Sequence, residues 1–210
     1  IKDRYGVADD KIHVFMNSIN MRLFKPNETL RPIPGRIITV GRLENVKRLD
    51  VLIRAISMLE GDHNELVVVG EGSKRESLEA LAKELGVKTH FYGRVPNTIL
   101  PEMLIQSEVF VLSSGTEGNP KALMEAMGAG RPCVATDVPG SRDLIQHGSN
   151  GMLSALDAES IAANIQRLQS EDGLAEKCGE AAADFARKNF DINKNLDREA
   201  ELLKSLIAAP

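Results

Sequence analysis

The sequence predicts a doubly wound α/β fold, a Rossmann-like parallel sheet covered by helices on both faces. Three observations lead there. Short, continuous apolar runs recur through the middle of the chain, as strands buried on both faces require. Segments with apolar residues at helical spacing separate these runs. Two of the runs end in glycine followed by a polar loop, at Gly41 and at Gly70, as at the ligand-binding end of such a sheet.

The elements are expected in the following order. Residues 1–35 hold one short strand, Ile12-His13-Val14-Phe15, and then a stretch with Pro26, Pro32 and Pro34 that reads as a linker. Residues 36–41 form a β-branched run, and Leu49, Leu52, Ile53, Ile56 and Leu59 mark the helix after it. Leu66-Val67-Val68-Val69 reads as a buried strand. Leu78, Leu81, Ala82 and Leu85 mark the next helix, which Gly86 ends. Short strands are expected at 88–92 and 108–112, with a helix near 98–106 between them. A helix near 120–128, a strand at 133–136 and a short strand near 151–153 follow. Residues 157–207 read as helical throughout, with Ala-rich and charged faces.

Composition narrows the function classes. A length of 210 residues allows one large domain or two small ones. With 42% hydrophobic and 27% charged residues, the chain is an ordinary globular one rather than disordered or fibrous. No apolar run approaches the ~20 residues of a membrane helix. Against 26 Lys and Arg stand 30 Asp and Glu, a balance of −4 that disfavours a nucleic-acid partner. Aromatics are 4%, with no Trp, so stacking platforms are nearly absent. Cys133 and Cys178 are too few for a disulfide scaffold or a zinc site. They read as small buried hydrophobes in a reducing compartment. The opening Ile1-Lys2-Asp3-Arg4 has no Met and no signal-like stretch, so a start within a longer protein is expected.

Three segments carry chemistry. In the first, Gly41 ends a strand and leaves the backbone open, and Arg42 and Lys47 stand five apart. Two cations beside a helix N-terminus suit a diphosphate, through charge, hydrogen bonds and dipole together. The plainer alternative is a solvated charged loop. In the second, Gly70-Glu71-Gly72-Ser73 starts like a dinucleotide motif, but Arg75 stands where its third glycine belongs. Nor does an acidic residue end the next strand at Thr89-His90-Phe91, so a nicotinamide enzyme is disfavoured. Ser73 reads instead as a helix cap, with Glu76 completing a capping box.

The third segment, residues 113–132, is the richest. Pro120 suits the first turn of a helix. The amides near Lys121 to Leu123 can hold a phosphate. Glu117 stands just before that helix, where it can also serve the helix dipole. Glu125 interrupts the apolar set Leu123, Met124, Ala126 and Met127. A carboxylate there either faces water or is partly buried and needs a partner such as a hydroxyl pair or an Arg. The four histidines, His13, His63, His90 and His147, fall in none of these segments and read as surface or loop residues.

Glu117 with Gly118-Asn119-Pro120-Lys121-Ala122-Leu123-Met124-Glu125-Ala126-Met127 resembles the E-x7-E segment of retaining GT-B glycosyltransferases of family four, the group 1 enzymes. Val40-Gly41-Arg42-Leu43 with Lys47 resembles their phosphate loop, and Val69-Gly70-Glu71-Gly72 their Gly-acid-Gly turn. Phe91-Tyr92-Gly93-Arg94-Val95 resembles the base-binding strand end. Residues 131–140 and Gly148-Ser149-Asn150-Gly151 resemble the closing pattern. The match runs in order over roughly residues 35–155. Where the family usually has Asn-Gly-Val-Asp, this chain has Asn17-Ser18-Ile19-Asn20, without the glycine that tolerates positive φ. Phe24 and Pro26 fit the pattern.

The resemblance implies the C-terminal, donor-binding half of a GT-B fold. Residues 36–189 would form the nucleotide-sugar domain. Residues 1–35 would be the junction from a missing N-terminal domain, and residues 190–210 a helix crossing back to it. It implies that Arg42 and Lys47 neutralise the donor diphosphate, Glu125 accepts from the ribose hydroxyls and Glu117 contacts the transferred sugar. Gly41, Gly70 and Gly118 belong to the same loops. Backbone amides near Asn119 to Leu123, the stretch that includes Pro120, Lys121 and Ala122, would meet sugar or phosphate, and main chain at Arg94 and Val95 the base. No cofactor and no metal is implied, because two cations and a helix N-terminus can stabilise the leaving diphosphate. The acceptor site would lie on the missing domain, so the chain alone is expected to be an inactive half of a hexosyl-type transferase. The expected place is the cytoplasm, with any contact to the inner membrane face made through the missing domain. A non-catalytic nucleotide-sugar-binding or assembly module and a nucleotide-sugar epimerase of the same architecture are the alternatives.

Overall fold

The computed structural model describes residues 2–8, 11–27, 29–61 and 63–208. Ile1 and residues 209–210, at the outer ends of the expected junction and crossing helix, lie outside the described residues. Six strands form one sheet: β1 (Ile33–Val40), β2 (Glu65–Val69), β3 (Thr89–Gly93), β4 (Ser107–Leu112), β5 (Cys133–Thr136) and β6 (Met152–Ser154). Their order is β3-β2-β1-β4-β5-β6, and all neighbours are parallel. This is the doubly wound class expected. The chain winds outward from β1 to β3, then returns to β4 on the other side of β1. That reversal opens a crevice beyond the carboxyl ends of β1 and β4.

Nine helices are described: α1 (Lys2–Tyr5), α2 (Leu49–Ser57), α3 (Arg75–Glu84), α4 (Leu100–Ile105), α5 (Lys121–Gly128), α6 (Pro139–Arg142), α7 (Ala158–Ser170), α8 (Leu174–Asn189) and α9 (Ile192–Ala208). Strand alternation divides the core into two layers. Leu66 and Val68 pack with α2, α3 and α7 through residues such as Leu52, Leu78 and Ile161. Val67 and Val69 pack with α4, α5 and α8 through Leu104, Met124 and Ala182. Every residue of β2 is buried, as the apolar run over residues 66–69 requires. Among the described residues no helix is long and apolar enough to cross a membrane.

Several expectations need correction. Residues 12–15 are not a strand: nothing among the described residues pairs with them, and Val14 is exposed. A short apolar run makes a strand only where a neighbour takes its hydrogen bonds. Pro34 is not in a linker but inside β1. Pairing with β4 shifts register between Ile33 and Ile37, an irregularity where a residue without an N–H is tolerated. The helical tail is three helices, broken at Gly173 (φ 73°) and at the buried Phe190. The short helices α1 and α6 were not foreseen.

The junction segment is clipped to the last break. Ile19 N–H donates to Phe190 O (2.8 Å), and Ile192 N–H donates to Ile19 O (3.1 Å). Ser18, which stands where the family has glycine, is not strained: Arg48 is the one non-glycine at positive φ among the described residues. Beyond the clip, α9 leaves Leu196, Leu203, Leu206 and Ile207 exposed.

At the opposite end of the sheet from the crevice, Glu65 is buried between Arg36 (Nε 2.7 Å), Lys88 (Nζ 2.6 Å) and His90 (Nε2 3.4 Å). The hydrogen bond from Lys88, then that from Arg36, pulls its carboxyl down to about 2. A depressed carboxyl stabilises the fold above its unfolded value of 4.5 and loses that contribution as pH falls toward 2. The shift corresponds to roughly 3 kcal/mol, reduced to about 2 because Lys88 is solvent-screened. Urea unfolding of the parent and of Glu65→Gln at pH 7 and at pH 2.5 checks this. The stability gap between them is expected to shrink on acidification; a constant gap refutes it.

Candidate functional site

The crevice holds a cleft of about 700 Å³. Gly41, Arg42 and Glu44 after β1, Gly70 and Glu71 after β2, Arg94 and Val95 after β3, and Lys121 and Glu125 on α5 all line it. Loops from three strands and one helix thus converge at the switch point, the default ligand position for this sheet. Asn97 and Leu100 also line the cleft, though no motif marks them in the sequence.

Glycine makes the cleft floor. Gly70 has φ 137°, and a Cβ there would lie 1.8 Å from Gly41 O. A Cβ on Gly72 would lie 2.4 Å from Leu43 O. Gly41 N–H donates to Val69 O (2.9 Å), Gly70 N–H to Gly93 O (2.7 Å) and Leu43 N–H to Glu71 O (2.9 Å). The loops after β1 and β2 therefore lie backbone against backbone, which answers why the Gly-acid-Gly turn needs both glycines. Ser73 does not cap α3, whose N-cap is Lys74 without a side-chain bond. Glu44 takes both Ser73 groups instead, the hydroxyl at 2.8 Å and the N–H at 3.1 Å. That pair ties the first loop to the second and pulls the Glu44 carboxyl down.

Arg42 and Lys47 are engaged differently. Arg42 is exposed at the cleft and has no ion-pair partner among the described residues. The Lys47 stem passes Gly41, and its Nζ bonds Glu117 Oε1 at 2.5 Å. Sequence spacing suggested one anion for both cations. A carboxylate 70 residues away has taken one of them.

The loop before α5 is held from several sides. Ser114 Oγ donates to Glu117 Oε1 (2.6 Å), and Gly140 N–H donates to Glu117 O (3.1 Å). Asn17 Nδ2 donates to Asn119 O (2.9 Å) from the junction segment. Gly118 is exposed. Pro120 is the N-cap of α5 and makes no side-chain cap bond. Leu123 N–H already donates to Pro120 O (3.1 Å), so the amides of Lys121 and Ala122 are the ones without an internal acceptor. Two amides at a helix start suit an anionic oxygen.

Glu125 is buried, and it lines the cleft. Burial pushes its carboxyl up, and Lys121, whose Nζ is 3.8 Å away, offsets part of that. Of the two placements open from sequence, this is the partly buried one. Its oxygens accept no hydrogen bond from the described residues, so a donor pair entering the cleft would find acceptors there. Arg94 Nε lies 3.5 Å from Glu71 Oε2 at the outer rim.

None of His13, His63, His90 and His147 lines the cleft. Cys133 and Cys178 are buried away from it, with thiols pushed up by burial. Among the described residues no three His, Cys, Asp or Glu side chains group to hold a metal ion. Asn17, Ser114 and Gly140 were missed as site residues. Their contacts join distant segments, and only the Ser114-x-x-Glu117 spacing offered a local signal.

The family described as glycosyl transferases group 1 matches residues 22–185. An uncharacterized glycosyltransferase of Methanocaldococcus jannaschii is 32% identical over 82% of this chain and 48% of its own length. The lipopolysaccharide 1,6-galactosyltransferase of Salmonella typhimurium is 31% identical over 70% of this chain and 43% of its own. The chain thus spans about half the length of the curated relatives it matches. In fold it resembles the Anabaena protein HepE, solved with UDP and glucose. The TM-score is 0.86 at 20% identity, over 95% of this chain and 59% of that one.

Proposed function

The chain belongs to the group 1 glycosyltransferases, and on that footing we propose that it is the donor-binding half of a retaining enzyme of that family. Its fold is the Rossmann-like half of GT-B. The donor is a nucleoside diphosphate sugar, and an N-terminal domain supplies the acceptor site. The lipopolysaccharide relative suggests a polysaccharide or lipid precursor as acceptor. The donor domain begins with β1, the segment before β1 is its junction, and α9 is the helix that returns to the other domain.

One observation carries this reading: the cleft joins a buried carboxylate with open acceptors, exposed cations and a helix start. Each fits a part of the donor. Glu125 takes the ribose diol, because a carboxylate only accepts. Arg42, the amides of Lys121 and Ala122, and Lys47 take the diphosphate. Main chain at Arg94 and Val95 faces the base, and Glu117 lies toward the transferred sugar. As the bond to the sugar breaks, negative charge gathers on the diphosphate. The helix-start amides stabilise it there without reorganising, together with Arg42 and Lys47 once the donor has drawn them in.

The test is calorimetric. UDP, GDP and ADP are titrated into the chain, UDP first because HepE was solved with it. One of the three is expected to bind. Binding of none refutes the reading.

A further inference from the structure

Between β4 and α5 stand two serines, Ser113 and Ser114, buried as deeply as the apolar core. Ser113 Oγ donates to the carbonyl of Lys47 at 2.9 Å. Ser114 Oγ donates to Glu117 Oε1 at 2.6 Å, and its own carbonyl accepts from Thr136 Oγ1 at 2.5 Å. Lys47 Nζ bonds the same Oε1. Two donors therefore meet on one carboxylate oxygen, while Oε2 accepts nothing from the described residues.

On the donor-site reading above, this arrangement has a consequence. A diphosphate draws Lys47 away from Glu117, since it offers the ammonium more charge. Glu117 then loses one of the two donors that orient it. Ser114 cannot follow: it is fully buried, and Thr136 ties it to the end of β5. Its hydroxyl already donates to an anionic oxygen, so it gains little by leaving Glu117 for another.

We propose that Ser114 is a positioning residue for Glu117, holding Oε1 in place when Lys47 turns to the diphosphate and so leaving Oε2 as the acceptor for the donor sugar. The neighbouring Ser113 serves Lys47 instead. Adjacent hydroxyls thus seat the two members of an ion pair that must separate when the donor arrives.

The two roles separate experimentally. Affinities of UDP and UDP-glucose, GDP and GDP-mannose, and ADP and ADP-glucose are measured for the parent chain, Ser114→Ala and Ser113→Ala. Thermal melts confirm that each is folded. Ser114→Ala is expected to leave the Kd of the nucleoside diphosphate within about twofold and to raise that of its sugar nucleotide about tenfold, the range for a hydrogen bond to a charged group. Ser113→Ala is expected to raise both by the same factor. Thr136→Val, which frees the Ser114 carbonyl while keeping the side-chain shape, is expected to shift the ratio the same way as Ser114→Ala but less.

A merely structural serine would move both ligands together, so a Ser114→Ala chain with an unchanged ratio overturns the assignment. So does a parent that binds a diphosphate but none of the sugar nucleotides. A parent that binds no nucleotide at all overturns the donor-site reading, and the assignment with it.

Discussion

Gly70→Ala is expected to abolish nucleotide binding and to cost about 3 kcal/mol or more of stability. Two effects add. The backbone at φ 137° is strained for any residue with a Cβ, and that Cβ would lie 1.8 Å from Gly41 O. Neither partner can yield, because both are main chain held by hydrogen bonds between the loops. The loops after β1 and β2 must separate, and the cleft floor goes with them. Two controls separate strain from overlap. Gly148 has φ 74° but open space around it, so Gly148→Ala carries strain alone, about 1 kcal/mol. Gly118 has neither, and Gly118→Ala is expected to melt like the parent. Equal melting of the Gly70 and Gly118 variants contradicts this account.

Arg42→Ala and Glu125→Ala are each expected to weaken nucleotide binding by about 1–3 kcal/mol, the range for charge-assisted hydrogen bonds. Their effects on stability should differ from their effects on binding. Arg42 is exposed, so its loss leaves folding nearly unchanged. Glu125 is a carboxyl raised by burial. Such a group is more costly to the fold once ionised, so its contribution worsens as pH rises past its unfolded value of 4.5. Glu125→Ala is therefore expected not to lower the melting temperature at pH 7, even as binding falls. Calorimetry and thermal melts on the same samples check both halves. A destabilised Glu125→Ala chain with intact affinity would make the residue a structural one.

How much of this was legible depends on the range of the interaction. The sheet was readable because residues 66–69, 109–112 and 133–135 are unbroken apolar runs inside β2, β4 and β5, and burial on both faces accounts for them. Glu117 and Glu125 stood out because charge interrupts a polar-to-apolar transition at a helix start. Residues 12–15 misled because a short, mostly apolar run says nothing about whether a neighbouring strand exists. Pro34 misled because a shift in strand pairing, invisible in sequence, tolerates it. The pairing of Lys47 with Glu117 spans 70 residues, and no local spacing announces it. The loss of the Leu123 amide to Pro120 O was hidden for a different reason: it depends on how tightly the first turn of α5 closes.

The missing Trp changes its meaning in this light. Few aromatics exclude stacking platforms for exposed glycans. A sugar tethered to a diphosphate can be held by carboxylates, cations and amides, and the cleft gathers these in one place.

The most direct measurement is an amide NMR footprint of the bound nucleotide on this chain. Shifts are expected to concentrate at Gly41–Arg42, Gly70–Glu71, Arg94–Val95 and Lys121–Glu125, with little change at the Glu65 end of the sheet. Perturbations centred away from the carboxyl ends of β1 and β4, for instance around Arg36, Glu65 and Lys88, would contradict the donor-site reading.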